Sequence, residues 1–204
     1  MLCLGNKLSQ LSYSVIPEGI KPEEFMEFDR EVRASGISTY PILQKLSQVE
    51  PREMYEQDFL ARCKTLNETL SRIKSGSLKK FLKACQCPDK EIKGLGNLKL
   101  LQGVSNILQS LNENLESADA LRVYGDTEIW KNQSTIMTPL FINYDLRISD
   151  AHEAIGKSME ALEKLGFDSK QVDSGYGSAI DYILDSVIDA LRTINSHARD
   201  VLSR

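Results

Sequence analysis

Histidine is nearly absent from this chain of 204 residues: only His152 and His197 occur. No histidine pair stands at metal-ligand spacing and no glycine-rich phosphate loop is present, which excludes the commonest signatures of zinc hydrolases and phosphate-loop enzymes. Cysteine is scarce as well. Of Cys3, Cys63, Cys85 and Cys87 only the last two are close, and Cys85-Gln86-Cys87 has one intervening residue where zinc knuckles have two or more. No metal and no cofactor are therefore expected. No apolar run approaches the length of a bilayer span, and no basic stretch precedes the first apolar residues, so the sequence predicts a cytoplasmic protein with no membrane partner. Its thiols are then reduced, and the sequons at Asn67 and Asn132 carry no glycan.

Positive charge is not in excess either. A formal net charge of −4 argues against coating nucleic acid through counterion release alone. Lysines do gather at Lys79, Lys80, Lys83, Lys90, Lys93 and Lys99. The default reading is a solvated helix face and turn, with contact to a phosphate backbone, through Lys93 and Lys99, as the weaker alternative.

Apolar residues at helical spacing are abundant. Leu2, Leu4, Leu8, Leu11, Tyr13, Val15 and Ile16 run up to Pro17, so a first helix docks from the outset, either in a short native chain or in a fragment of a longer one with further domains. Pro22 opens a short helix with Phe25, Phe28 and Val32 on one face, and Pro41 opens another with Ile42, Leu43 and Leu46 inward. The spacing of Phe59, Cys63, Leu66, Leu70 and Ile73 predicts a long core helix over 51–75. Ser77 is read as the cap of a short helix with Leu78, Phe81 and Leu82.

A second strong stripe runs from Asn97 to Leu115, and residues 125–138 read as a loop or irregular element around Trp130, taken as a core or rim anchor. After Pro139, the residues Leu140, Phe141, Tyr144, Ile148 and Ala151 form the inward stripe, and Ile155, Met159, Leu162 and Leu165 continue it, as one helix or as two joined near Ser149. The run from Asp173 to Gly177 has turn chemistry. A last helix carries Ile180, Ile183, Leu184, Val187, Ile188, Leu191 and Ile194. No alternating β-branched run marks a strand, so the predicted fold is an all-α, multi-helix bundle. An N-terminal helical part, 1–124, and a C-terminal one, 125–204, are expected to form one compact unit.

Each histidine stands five positions after an arginine, as Arg147 to His152 and Arg192 to His197. A guanidinium holds a phosphate with a planar fork of donors, and an imidazole moves a proton near neutral pH. On a straight helix five residues turn the side chain by about 500°, leaving Arg147 and His152 about 140° apart. A joint site then requires a bend, which Ser149 could supply, or a second copy of the motif from a symmetric dimer. Asp150 is an available ion-pair partner for Arg147. At the second motif, Asp189 and Asp200 suit an ion-paired helix end instead.

The segment Tyr144-Asp145-Leu146-Arg147-Ile148-Ser149-Asp150-Ala151-His152 resembles the signature of the HEPN superfamily (higher eukaryotes and prokaryotes nucleotide-binding): an arginine, four to six residues, then a histidine, late in an all-α unit. The resemblance covers about Pro139 to the C-terminus. It implies a metal-independent endoribonuclease or an RNA- or nucleotide-binding module, acting as a homodimer, of the kind found in toxin and phage-defence proteins. Arg147 would clamp the phosphate and His152 would act as acid or base, with Ser149 and Asp150 as auxiliary residues. The residue after the arginine is usually polar in that family and is Ile148 here. That departure keeps a second expectation open, a noncatalytic helical scaffold or oligomerisation domain of a larger protein.

Overall fold

The computed structural model describes residues 1–27, 46, 51–148 and 154–204. In chain order its helices are α1 (Leu2–Val15), α2 (Pro22–Phe25), α3 (Glu56–Leu70), α4 (Ser75–Ala84), α5 (Asp89–Ile92), α6 (Asn97–Glu113), α7 (Thr138–Ile148), α8 (Ala154–Lys164) and α9 (Gly177–Leu202), with 3-10 turns at Ala118–Thr127, Ile129–Lys131 and Ser169–Ser174. Among the described residues the only extended pairing is one antiparallel bridge, Met26 to Ile73. The fold is all-α, a multi-helix bundle. Among the described residues no helix is long and apolar enough to cross a membrane. Phe28, Val32 and the helix expected after Pro41 lie outside the described residues, apart from Leu46.

The chain forms two compact units, and the division does not run at 124/125. The first comprises Met1–Arg33, Arg72–Met137 and Leu191–Arg204; the second comprises Ala34–Ser71 and Thr138–Ala190. α9 therefore contributes its first half to one unit and its second half to the other.

In the first unit α6 is the centre. Its Leu100, Leu101, Val104, Ile107, Leu108 and Leu111 are fully buried, as are Leu8 and Leu11 of α1 and Leu78, Phe81 and Leu82 of α4. A helix covered on most sides also buries polar residues, which must find partners. Asn106 donates to the carbonyls of Asn132 at 2.8 Å and Ile129 at 3.2 Å, and Gln102 donates to Asn132 as well. Two carboxamides thus add partners to the carbonyls of a single 3-10 turn, which is too short to show a helical periodicity in the sequence. Trp130 itself is buried. Gly125 is obligatory: its N–H donates to the Cys85 carbonyl at 2.7 Å, and a Cβ there would stand 2.1 Å from the backbone carbon of Gln86. Arg204 donates to the carbonyls of Leu111 and Glu116, both at 3.2 Å, at the C-terminal end of α6 and its following turn.

α4 begins at Ser75, so Ser77 is not its cap; the Ser77 hydroxyl donates to the Glu24 carbonyl at 2.5 Å. The long helix expected over 51–75 is shorter at both ends. At its C-terminal side, Arg72 and Lys74 leave the helix to exchange backbone hydrogen bonds of 2.9 Å with Glu27 and Phe25.

In the second unit α3 starts only at Glu56, because residues 51–54 pack under the turn that opens α9. The Tyr176 N–H donates to the Met54 carbonyl at 2.9 Å, and a Cβ at Gly175 or Gly177 would stand 2.4 or 2.5 Å from a carbonyl oxygen of Arg52 or Pro51. Phe59 of α3 meets Tyr176 with ring centroids 5.3 Å apart. α7 packs against α3, and α8 packs against α7. The inward stripe of α7 differs from the expected one. Leu140, Ile142, Asn143 and Leu146 are buried, while Tyr144 is exposed and Phe141 half-exposed. Aromatic rings tolerate a wet edge better than leucine, so the aliphatic positions take the core and rotate Tyr144 outward. On α9 Ile188 is likewise exposed and Leu184 half-buried.

Asn143 is fully buried, and neither its amide nitrogen nor its oxygen has a hydrogen-bond partner. An orphaned buried carboxamide costs about 1–3 kcal/mol. Asn143→Leu, similar in volume, is expected to raise stability by about that amount in a denaturant titration. A loss of stability would show that the amide does find partners in solution.

Candidate functional site

Arg147 lies in the last turn of α7, exposed, and its guanidinium carbon stands 5.0 Å from the centre of the Tyr144 ring. Helical geometry produces the contact, because residues three apart are neighbours on one face. The ring supports the flat guanidinium and leaves its outer edge of N–H groups open, a geometry suited to a phosphate. His152, Ser149 and Asp150 lie outside the described residues. What is described is their frame: α7 ends at Ile148, α8 begins at Ala154, and α8 packs against α7.

The second motif is built differently. The carboxylate of Asp200 accepts from Arg199 at 3.2 Å, and His197 is half-buried, with Nδ1 out of solvent and without a hydrogen-bond partner. A ring held inside a helix face is poorly placed to meet a substrate.

Lys93 and Lys99 belong to the first unit, whereas Arg147 belongs to the second. Much of the lysine cluster is already engaged. Lys79 donates to the Lys93 carbonyl at 2.6 Å, Lys83 pairs with Asp89 at 3.1 Å, and Lys99 reaches Gln102 at 3.4 Å. Lys99 also borders a cavity of about 290 Å³ with Trp130 and Lys131. Lys131 stands between Glu128 at 2.8 Å and Glu91 at 2.5 Å, and these hydrogen bonds, Glu128 first, hold its ammonium above the usual lysine range. In the second unit a cavity of about 450 Å³ is lined by Arg52, Gln171, Ser174, Ser178 and Asp181. Its arginine and aspartate offset one another.

Thiol chemistry is closed off in the interior. Burial pushes the Cys63 and Cys87 thiols up to about 12 and raises Cys85 as well, with the neighbouring Cys87 adding to the effect. Such thiols stay protonated at neutral pH and are poor nucleophiles. Among the described residues no group of three histidine, cysteine, aspartate or glutamate side chains could hold a metal ion.

The Tyr144 contact is the feature missed in the sequence, although the i to i+3 spacing was there to be read. A large ring in an apolar stripe passes for core.

A maleimide at neutral pH is expected to modify Cys3, the exposed thiol, and to reach the other three only on unfolding. Because the buried thiols are raised from 9.0, their burial stabilises fully below about pH 9 and is lost as pH rises toward 12. Four thiols reacting at one rate in the native protein would contradict the packing.

Set against family models, curated proteins and solved structures, the chain finds no match in any of the three.

Proposed function

We propose that the chain is a HEPN-like, metal-independent endoribonuclease or RNA-binding module in which Arg147 holds a phosphate and His152 transfers the proton. One observation supports this above the rest. Arg147 is exposed at the end of α7, and α8, which begins two residues after His152, packs back on α7. The arginine is thus at a helix end and free of the core. His152 would take the 2′-hydroxyl proton or give one to the leaving oxygen, and the guanidinium would stabilise charge gathering on the phosphate. Ser149 and Asp150 would be auxiliary, and the acidic net charge confines RNA contact to a local site.

The homodimer belongs to this reading through the family resemblance. Sedimentation at micromolar concentration is expected to give twice the 22.9 kDa chain mass. A strict monomer would remove the partner motif from the mechanism.

Single-stranded RNA is expected to be cut in the presence of chelator while DNA is not. His152→Ala should lose about 10² to 10⁴ in rate, the usual share of general acid or base catalysis, and His197→Ala should lose little. Equal cleavage by parent and His152→Ala protein would sink the enzymatic reading. The scaffold reading, which Ile148 after the arginine favours, then takes its place.

A further inference from the structure

We propose that Tyr144 is the nucleobase platform of the Arg147 phosphate site, so that the protein grips one base and one phosphate together. The inference rests on the reading of Arg147 as a phosphate clamp. It begins from the rotation of α7. Leu140, Ile142, Asn143 and Leu146 occupy the buried face, which turns an aromatic ring and a cation out on the same side. Tyr144 keeps 37% of its surface exposed, where most large apolar side chains of this protein keep under a tenth.

The guanidinium carbon of Arg147 stands 5.0 Å from the ring centre, over one face of a side chain that remains exposed with the arginine in place. Any base can stack on such a surface, because every base has a π face, and this makes the grip tolerant of sequence. The phosphate of the stacked nucleotide is then within one backbone step of the guanidinium edge. Asp145, also exposed, points about 160° round the helix axis from Arg147 and so does not share its face. A surface cation–ring pair kept only for stability would contribute little at an exposed position, which leaves the ring available for recognition.

The test is fluorescence anisotropy with a labelled single-stranded RNA and with an oligomer of equal length lacking bases, in chelator. The protein carries His152→Ala so that the RNA stays whole, and each variant is checked for an unchanged melting transition. Tyr144→Ala should weaken binding of the base-bearing RNA about 5- to 150-fold, the range for one stacked base, and leave the abasic oligomer unaffected. Tyr144→Phe should bind as the parent does. Arg147→Ala should weaken both oligomers. If Tyr144→Ala binds base-bearing RNA normally while Arg147→Ala does not, the platform is wrong and the phosphate site stands. An equal loss on both oligomers would reduce Tyr144 to a support for the guanidinium. No loss with Arg147→Ala, or no RNA binding by the parent, overturns platform and phosphate site alike.

Discussion

The face that α7 buries decides what Arg147 can do. With Leu140 and Leu146 in the interior and α3 packed alongside, the helical period leaves Tyr144 and Arg147 no position but solvent. Had the aromatic residues taken the core instead, the arginine would point elsewhere and the ring beneath it would be lost. The packing pattern of one helix therefore connects the core of the second unit to the chemistry proposed at its surface. α7 does this with Asn143 buried unpartnered at its centre, so its inward face is not optimised for stability.

The first unit obeys a different constraint. α6 is buried almost all round and cannot be wholly apolar in sequence, so its carboxamides are spent on the carbonyls of residues 129–132. This fastens a short 3-10 turn to the most buried helix of the unit and places Trp130 in the interior. It also removes Trp130 as a stacking surface, and the ion pairs of Lys131 and Lys83 occupy cations that would otherwise face a phosphate backbone.

Where a helix buries a broad face, the sequence was readable. α6 follows the leucine and isoleucine spacing closely, and α1 does so at Leu4, Leu8 and Leu11, since each apolar residue contributes to burial whatever lies opposite. Failures came where distant residues intervene. Nothing near Pro51 announces that Gly175 and Gly177 need bare backbone there, and nothing in residues 118–131 reveals the amides of Gln102 and Asn106. Ser77 had the right chemistry for a cap but was claimed by the Glu24 carbonyl. At the site, the residue types of the arginine and histidine motif were legible. The outward turn of Tyr144 was not, because periodicity gives the spacing of a face but not which of two adjacent apolar faces goes inside.

The proposed chemistry leaves a chemical signature that binding and stability do not. Internal attack by the 2′-hydroxyl, with proton transfer at His152, ends one product in a 2′,3′-cyclic phosphate and the other in a free 5′-hydroxyl. Mass spectrometry of a defined oligoribonucleotide, incubated with the protein in chelator, reads those termini directly. The account predicts cyclic phosphate ends that disappear with His152→Ala. Products carrying 5′-phosphates, or an intact oligomer after prolonged incubation with folded protein, would contradict it.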